Sequence, residues 1–263
     1  RMMLTSAIGS SLGSERKMSV PEPEKITSPV TCAILFARNP QPGRVKTRLQ
    51  THLSPDQVAA IYTAFVRDSV TMLRGCDAQR RIVAVADTDG LAGLRSLLDP
   101  TGESGLEFVV QEGMDLGMRM EHALRAAFDT GAEQAVILGT DAPSLPLTTI
   151  DEALARLADA DVVLGPCVDG GYYLVGVTAQ AFDDAAPALF RGIAWSTGSV
   201  LAQSVEALAP SLSLALLPAW YDIDGPSEAA FLRSHLEALS RAGNNIGRYS
   251  LHALRGVDLP PPS

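Results

Sequence analysis

An α/β fold built on a mainly parallel sheet is the architecture this chain predicts, on three observations. Thr31 to Ala37 is an unbroken apolar run of the kind that forms a strand buried on both faces. Ala135 to Gly139 is a second such run, short and wholly apolar. Between and after them, strand-like segments alternate with longer stretches of helical periodicity, the signature of right-handed βαβ units.

The elements follow in order. Asn39, Pro40, Pro42 and Gly43 end the first strand abruptly. Ser54-Pro55-Asp56-Gln57 is a helix start, with Ser as N-cap, Pro at the first helical position and Gln at the third. Val58, Ile61, Tyr62, Phe65, Val66, Val70 and Leu73 then recur at helical spacing. Arg80–Ala86 returns to a strand pattern, and a short helix covers Leu91–Leu98. Leu106–Val110 is the third strand, and the Gln111–Met120 loop leads into a helix ending near Gly131. After the fourth strand, Thr148 caps a helix and Val162–Leu164 is a fifth strand. The second half departs from strict alternation, because Asp169-Gly170-Gly171 leads straight into a strand over Tyr172–Val177. The pattern is irregular around Trp195-Ser196-Thr197-Gly198. A helix over Ser199–Leu208, a strand over Leu212–Leu217 and a last helix from Ser227 to Ala242 complete the reading.

Residues 1–29, rich in Ser, Pro, Glu and Lys, read as a flexible leader, and 30–245 as a single domain with a parallel first half and a mixed second half. Residues 246–263, which end in consecutive prolines, read as a C-terminal tail. A net charge of −9 and a pI near 4.9 argue against nucleic acid or an anionic membrane as the main partner. No stretch approaches the roughly 18 apolar residues of a membrane span. Cys32, Cys76 and Cys167 are scattered and lie mostly in apolar runs, so they read as reduced core residues of a cytoplasmic protein.

Against that acidic background, Arg38, Arg44, Lys46 and Arg48 crowd the loop after the first strand. Ligands of open α/β sheets bind at the carboxyl ends of the strands, so four cations there suit a nucleotide's phosphates, with a solvated loop as the plain alternative. The loop is not a P-loop: Val45 stands where that motif needs Gly before the lysine, and the first Gly is missing. Asp141 follows the buried fourth strand directly, where it either holds a hard divalent cation through oxygen or caps the next turn. Asp222 and Asp224 flank Ile223, so both point the same way if the segment is extended, and either can offer a second carboxylate. Asp169-Gly170-Gly171 is a place where backbone N–H groups approach a ligand, or a bare tight turn. Arg119, in the lip after the third strand, is a candidate phosphate or ribose contact. The four histidines lack metal-ligand spacing.

Taken together, F-A-R-N-P-Q-P-G-R-V-K-T-R-L, G-M-D-L-G-M-R-M, L-G-T-D-A-P-S-L-P, G-P-C-V-D-G-G-Y-Y-L-V-G, W-S-T and Y-D-I-D-G-P resemble the family known as DUF2064. Its members are labelled rSAM/selenodomain-associated transferase or arsenosugar-biosynthesis glycosyltransferase. The resemblance runs in consistent order from about Val30 to Leu239. That family looks like a branch of the glycosyltransferase-A (GT-A), or nucleotide-diphospho-sugar transferase, superfamily, and is similar to molybdenum-cofactor and phospholactate guanylyltransferases. The resemblance implies a Rossmann-like three-layer α/β/α sandwich that binds a nucleotide with Mg²⁺ or Mn²⁺. It implies phosphate contacts from Arg38, Gly43, Arg44, Lys46 and Arg48, metal ligation by Asp141 with Asp222 or Asp224, and an acceptor lined by Asp169, Gly170, Gly171 and Tyr172. The chain departs from the family pattern at Met118, where an acidic residue is common, and at Gly225, where Thr often stands.

Two reactions fit this expectation. One is nucleotidyl transfer from a nucleoside triphosphate to a phosphorylated small molecule, with pyrophosphate leaving. The other is glycosyl transfer from a nucleotide-diphospho-sugar, with Asp169 as a base. The dense basic loop and the lack of an Asp-x-Asp motif at Asp141 favour the first. A non-catalytic nucleotide-binding module is the third reading, and it leaves the strand-end carboxylates without a purpose.

Overall fold

A computed structural model describes residues 28–261. The 1–29 leader therefore lies almost wholly outside the described residues. Seven strands form one sheet: β1 (Thr31–Ala37), β2 (Arg80–Val85), β3 (Glu107–Val110), β4 (Gln134–Leu138), β5 (Val162–Pro166), β6 (Tyr172–Thr178) and β7 (Leu214–Leu216). Their order across the sheet is β3-β2-β1-β4-β6-β5-β7. Every neighbouring pair is parallel except those made by β6, which runs against both β4 and β5. The strand entered without a preceding helix is thus the one that reverses direction, as a tight connection demands.

Eight helices cover the sheet: α1 (Pro55–Gly75), α2 (Thr88–Leu98), α3 (Leu116–Asp129), α4 (Thr149–Arg156), α5 (Phe182–Phe190), α6 (Val200–Ala207), α7 (Pro226–Arg241) and α8 (Arg248–Arg255). Alternate residues of β1 divide between two cores. Ala33, Leu35 and Ala37 pack on one face with α1, α2, α4, α7 and α8, while Cys32 and Ile34 pack on the other with α3 and α5. The result is the three-layer α/β/α sandwich, and it explains why β1 and β4 are apolar at nearly every position. α1 supplies the largest apolar face. Val58, Phe65, Val66 and Leu73 are fully buried, each worth about 1.5–3 kcal/mol over exposure. Its start is the capping box read from the sequence: Ser54 Oγ accepts from Gln57 N, and Gln57 Oε1 accepts from Ser54 N.

Three expectations are corrected. The segment from 246 is not simply a tail, because α8 packs on α1 and buries Leu251 and Leu254, with Leu259 buried beyond it. Asp68 of α1 holds the start of α8, accepting from the backbone N–H groups of Tyr249 and Ser250 and from the Ser250 hydroxyl. Thr148 does not cap α4 through its side chain; its hydroxyl donates instead to Glu152 Oε1. The strand expected over Leu212–Leu217 shrinks to β7, since Ser213 is taken up by Asp161. Among the described residues, no helix is long and apolar enough to cross a membrane.

Candidate active site

The strand order reverses at β1. The chain moves outward from β1 through β2 to β3, then returns to lay β4 on β1's other side. Such a switch point leaves a crevice at the carboxyl ends of the two central strands. A cleft of about 990 Å³ opens there, at the upper end of the range for small-molecule sites. Its lining includes Arg38, Arg44, Lys46 and Arg48 from the loop after β1, Asp141 after β4, Asp169 between β5 and β6, and Asp222 and Asp224 before α7.

The basic loop is pinned from below. Val45 and Leu49 are buried, and residues Thr47–Thr51 wind into a 3-10 turn. Lys46, between those two anchors, takes a left-handed backbone with φ of 43°. That conformation costs a non-glycine residue about 1–2 kcal/mol and is held here by the packing around it. Its ammonium, only 7% exposed, lies 3.0 Å from Asp141 and 2.8 Å from Asp224. Burial works against that charge, but the two carboxylates outweigh burial and hold the Lys46 pKa above its ordinary value. Asp224 also accepts from Arg48 at 2.9 Å. Burial pushes Asp224 upward, yet Lys46 and Arg48 more than offset it and leave its pKa depressed. Arg38 and Arg44 make no ion pair among the described residues.

Asp222 and Asp224 both reach the cleft because buried Ile223 alternates between them, and Ile223 N donates to Asp141 O, which fastens the segment to the end of β4. Their partners differ. Asp222 accepts from the Cys167 thiol at 3.4 Å. Burial, followed by the nearby charges of Asp169 and Asp224, raises the Asp222 pKa above the usual carboxylate range. Cys167, Asp169 and Asp222 offer ligand atoms within 4.8 Å of one another. Burial, opposed by a backbone hydrogen bond and reinforced by the acids, pushes the Cys167 thiol up to about 12. It stays protonated at neutral pH, so the donors that remain in this group are the hard oxygens of Asp169 and Asp222, while Asp141 and Asp224 line the same cleft paired with Lys46. That donor set fits Mg²⁺ or Mn²⁺.

The Asp169–Gly171 segment is a tight turn. Gly170 N donates to Cys167 O and Gly171 N donates to Asp169 Oδ1, so neither N–H is free for a ligand. Gly170, at φ of 91°, packs so closely on the Gly198 backbone that a Cβ would lie 2.1 Å from Gly198 O. Gly171 and Tyr172 line the cleft, whereas Gly170 and Gly43 do not; Gly43, at φ of 79°, only shapes the basic loop. Arg119 lines the lip, its Nε donating to Gly113 O at 3.1 Å. Two residues at the site receive no role from the sequence, although Trp195 opens the W-S-T stretch of the family resemblance. Tyr62 reads as a core residue of α1, yet its hydroxyl accepts from Arg38 N and Thr140 Oγ1 and so ties the basic loop to β4. Trp195 stands in an irregular stretch and forms one wall of the cleft, edge-on to Tyr172 with ring centroids 6.3 Å apart.

Comparison with known proteins bears on the family and the fold. Residues 70–197 match the family described as an uncharacterized protein conserved in bacteria, DUF2064. A Desulfovibrio desulfuricans protein described as a "putative nucleotide-diphospho-sugar transferase" is 31% identical, with a TM-score of 0.76 over 87% of this chain and 95% of that one. The 4-diphosphocytidyl-2C-methyl-D-erythritol synthase of Anaerococcus prevotii shares 10% identity, with a TM-score of 0.55 over 80% of this chain and 96% of that one. A cytidylyltransferase from Leptospira borgpetersenii shares 12% identity, with a TM-score of 0.52 over 87% and 95% of the two chains. At such low identity these two show the fold alone. No curated protein matches. The chain is thus a member of the DUF2064 family, similar to the Desulfovibrio protein over nearly its whole described length and sharing its fold with the two cytidylyl-type proteins.

Proposed function

We propose that this protein is a metal-dependent transferase acting on an activated nucleotide, moving a nucleotidyl group from a nucleoside triphosphate to a small acceptor and releasing pyrophosphate. The observation that carries the reading is Lys46. Its ammonium is buried between Asp141 and Asp224 at the switch point, with three arginines on the same loop. A polyanion entering the cleft meets a row of cations, two of them, Arg38 and Arg44, without ion pairs among the described residues. Phosphoryl chemistry asks little covalent work of a protein, so positioning and charge neutralisation are the main contributions. Arg38, Arg44 and Arg48 suit the phosphate oxygens, and Lys46 the charge that develops as pyrophosphate leaves. Asp141, Asp224 and Asp222 would hold the divalent ion, which supplies Lewis-acid polarisation of the phosphates and screening of the leaving group.

Glycosyl transfer from a nucleotide-diphospho-sugar is the second reading, favoured by the printed description of the Desulfovibrio relative. The two readings part on the donor. Thermal shift of wild type and Asp141→Asn, with the common nucleoside triphosphates and with UDP-, GDP- and TDP-sugars, each with and without Mn²⁺, separates them. A ligand at about 100 times its Kd adds roughly 2.7 kcal/mol to native stability, enough to read as a rise in melting temperature. The expected result is a Mn²⁺-dependent rise with one triphosphate that is lost in Asp141→Asn. A rise confined to one nucleotide-sugar establishes glycosyl transfer instead, and no rise with any nucleotide removes both.

A further inference from the structure

The cleft is partitioned by charge. Its cations come from the loop after β1 and from Arg119, while the wall formed by residues 167–200 contributes no Lys, Arg or His among the described lining residues. That wall instead carries Asp169, with Asp222 beside it. The same wall carries Trp195, Tyr172 and Val200 together with Ser196 and Thr197, and α3 adds Leu116 and Met120 to the cleft lining. We propose that Trp195 is the platform on which the acceptor rests, and that the acceptor is an uncharged, ring-bearing polyol whose hydroxyl is the nucleophile, in place of the phosphorylated acceptor expected from the sequence; this rests on the transferase reading above.

Three features support it. First, a phosphate carried by the acceptor would find no Lys, Arg or His on that wall and would lie against Asp169, while the charge of a divalent ion at Asp141, Asp222 and Asp224 would be taken up by those carboxylates and the donor's phosphates. Second, the indole is held in place. Tyr172 meets it edge-on, and Gly117 leaves it room, since a Cβ there would stand 2.9 Å from the Trp195 ring. A fixed indole face suits the C–H face of a sugar-like ring. Third, polar groups for hydroxyls surround the ring. Ser196, at φ of 63°, is exposed, and its hydroxyl has no partner among the described residues. Asp169 keeps one carboxylate oxygen free while the other accepts from Gly171 N. An acceptor ammonium would occupy that carboxylate, which a hydroxyl needs as its proton acceptor. In the step itself, the acceptor oxygen bonds to the α-phosphorus and the bond from that phosphorus to the α,β-bridging oxygen breaks. The electron pair leaves with pyrophosphate, and the hydroxyl proton passes to Asp169.

The chain has two tryptophans, so Trp220→Phe leaves Trp195 as the only indole reporter. In that variant, saturated with a non-hydrolysable triphosphate analogue and Mn²⁺, glucose and ribose are titrated against glucose 6-phosphate and ribose 5-phosphate. The expected result is a change in Trp195 emission with a neutral sugar at a concentration at least about tenfold below that needed for its phosphate. Calorimetry on the otherwise wild-type chain gives the second readout. Trp195→Ala weakens sugar binding by about tenfold or more with nucleotide affinity unchanged, and Trp195→Phe recovers most of the loss. Tighter binding of the sugar phosphates overturns the proposal, as does loss of nucleotide affinity in Trp195→Ala, which would make the indole a base platform. Nucleotide binding with no response to either neutral sugar overturns the acceptor assignment and leaves the transferase reading standing. Absence of nucleotide binding removes both.

Discussion

Asp222 shows how a single side chain is placed at a cost to stability. Its carboxyl is half-buried near Asp169 and Asp224, and the side chain that donates to it is a thiol. With a folded pKa above its unfolded value of about 3.9, the native protein binds that proton more tightly than the unfolded chain does. Stability is therefore lost as pH rises through the window from the unfolded to the raised folded pKa. Asp222→Asn, whose side-chain oxygen still accepts from Cys167, should melt higher than wild type at neutral pH without metal. The gap should close toward pH 3, and Mn²⁺ should raise the melting temperature of the variant less than that of wild type. A variant that melts lower at pH 7 would mean that Asp222 is a structural hydrogen-bond acceptor and not an under-neutralised ligand. Lys46 is the complementary case. Its ammonium already stands where positive charge is wanted, so Asp141 and Asp224 carry no comparable penalty.

Among the elements, α8 does most to anchor the chain end. It is short and its inner face is Ser250, Leu251 and Leu254, all buried against α1 and α7. Asp68 meets its N-terminus, where backbone N–H groups are otherwise orphaned and the helix dipole favours negative charge. Leu254→Ala should therefore cost about 2–5 kcal/mol, a fall of roughly 5–15 °C in melting temperature by differential scanning calorimetry. A loss below about 0.5 kcal/mol would return the segment to the status of a tail. The turn between β5 and β6 is the other decisive element. Its Gly170 serves close backbone packing on Gly198, which brings the Trp195 loop beside Asp169.

For the whole molecule, the local and global fields have opposite signs. The chain carries a net charge of −9, yet the cleft gathers four of its five lining cations on one loop. A triphosphate at contact distance responds to the near charges, since distant ones are screened beyond about 8 Å at physiological ionic strength. Binding should accordingly weaken with added salt, by roughly three- to tenfold in Kd between low and several-hundred-millimolar ionic strength. The net charge alone predicts the reverse, because screening would relieve repulsion. Fluorescence titration across a salt series distinguishes them, and an affinity that rises with salt would remove the basic loop from the phosphate site.

The sequence by itself determined the alternation of β1 to β5 with their helices, the capping box at Ser54, the entry into a strand at Tyr172 with no helix before it and the crowding of cations after β1. Each of these is a local matter of periodicity, turn chemistry or adjacency along the chain. It also marked Asp141, Asp222 and Asp224 as strand-end or alternating carboxylates. Only the tertiary structure decided that Lys46 joins two of those acids, that Asp222 turns to Cys167, that Gly170 packs on Gly198, and that Trp195 and Tyr62 belong to the cleft. Those relations link residues far apart in the chain, and they depend on sheet order and on which face each loop crosses. The α8 segment was missed because it is brief and polar on average: its apolar residues acquire meaning only opposite α1.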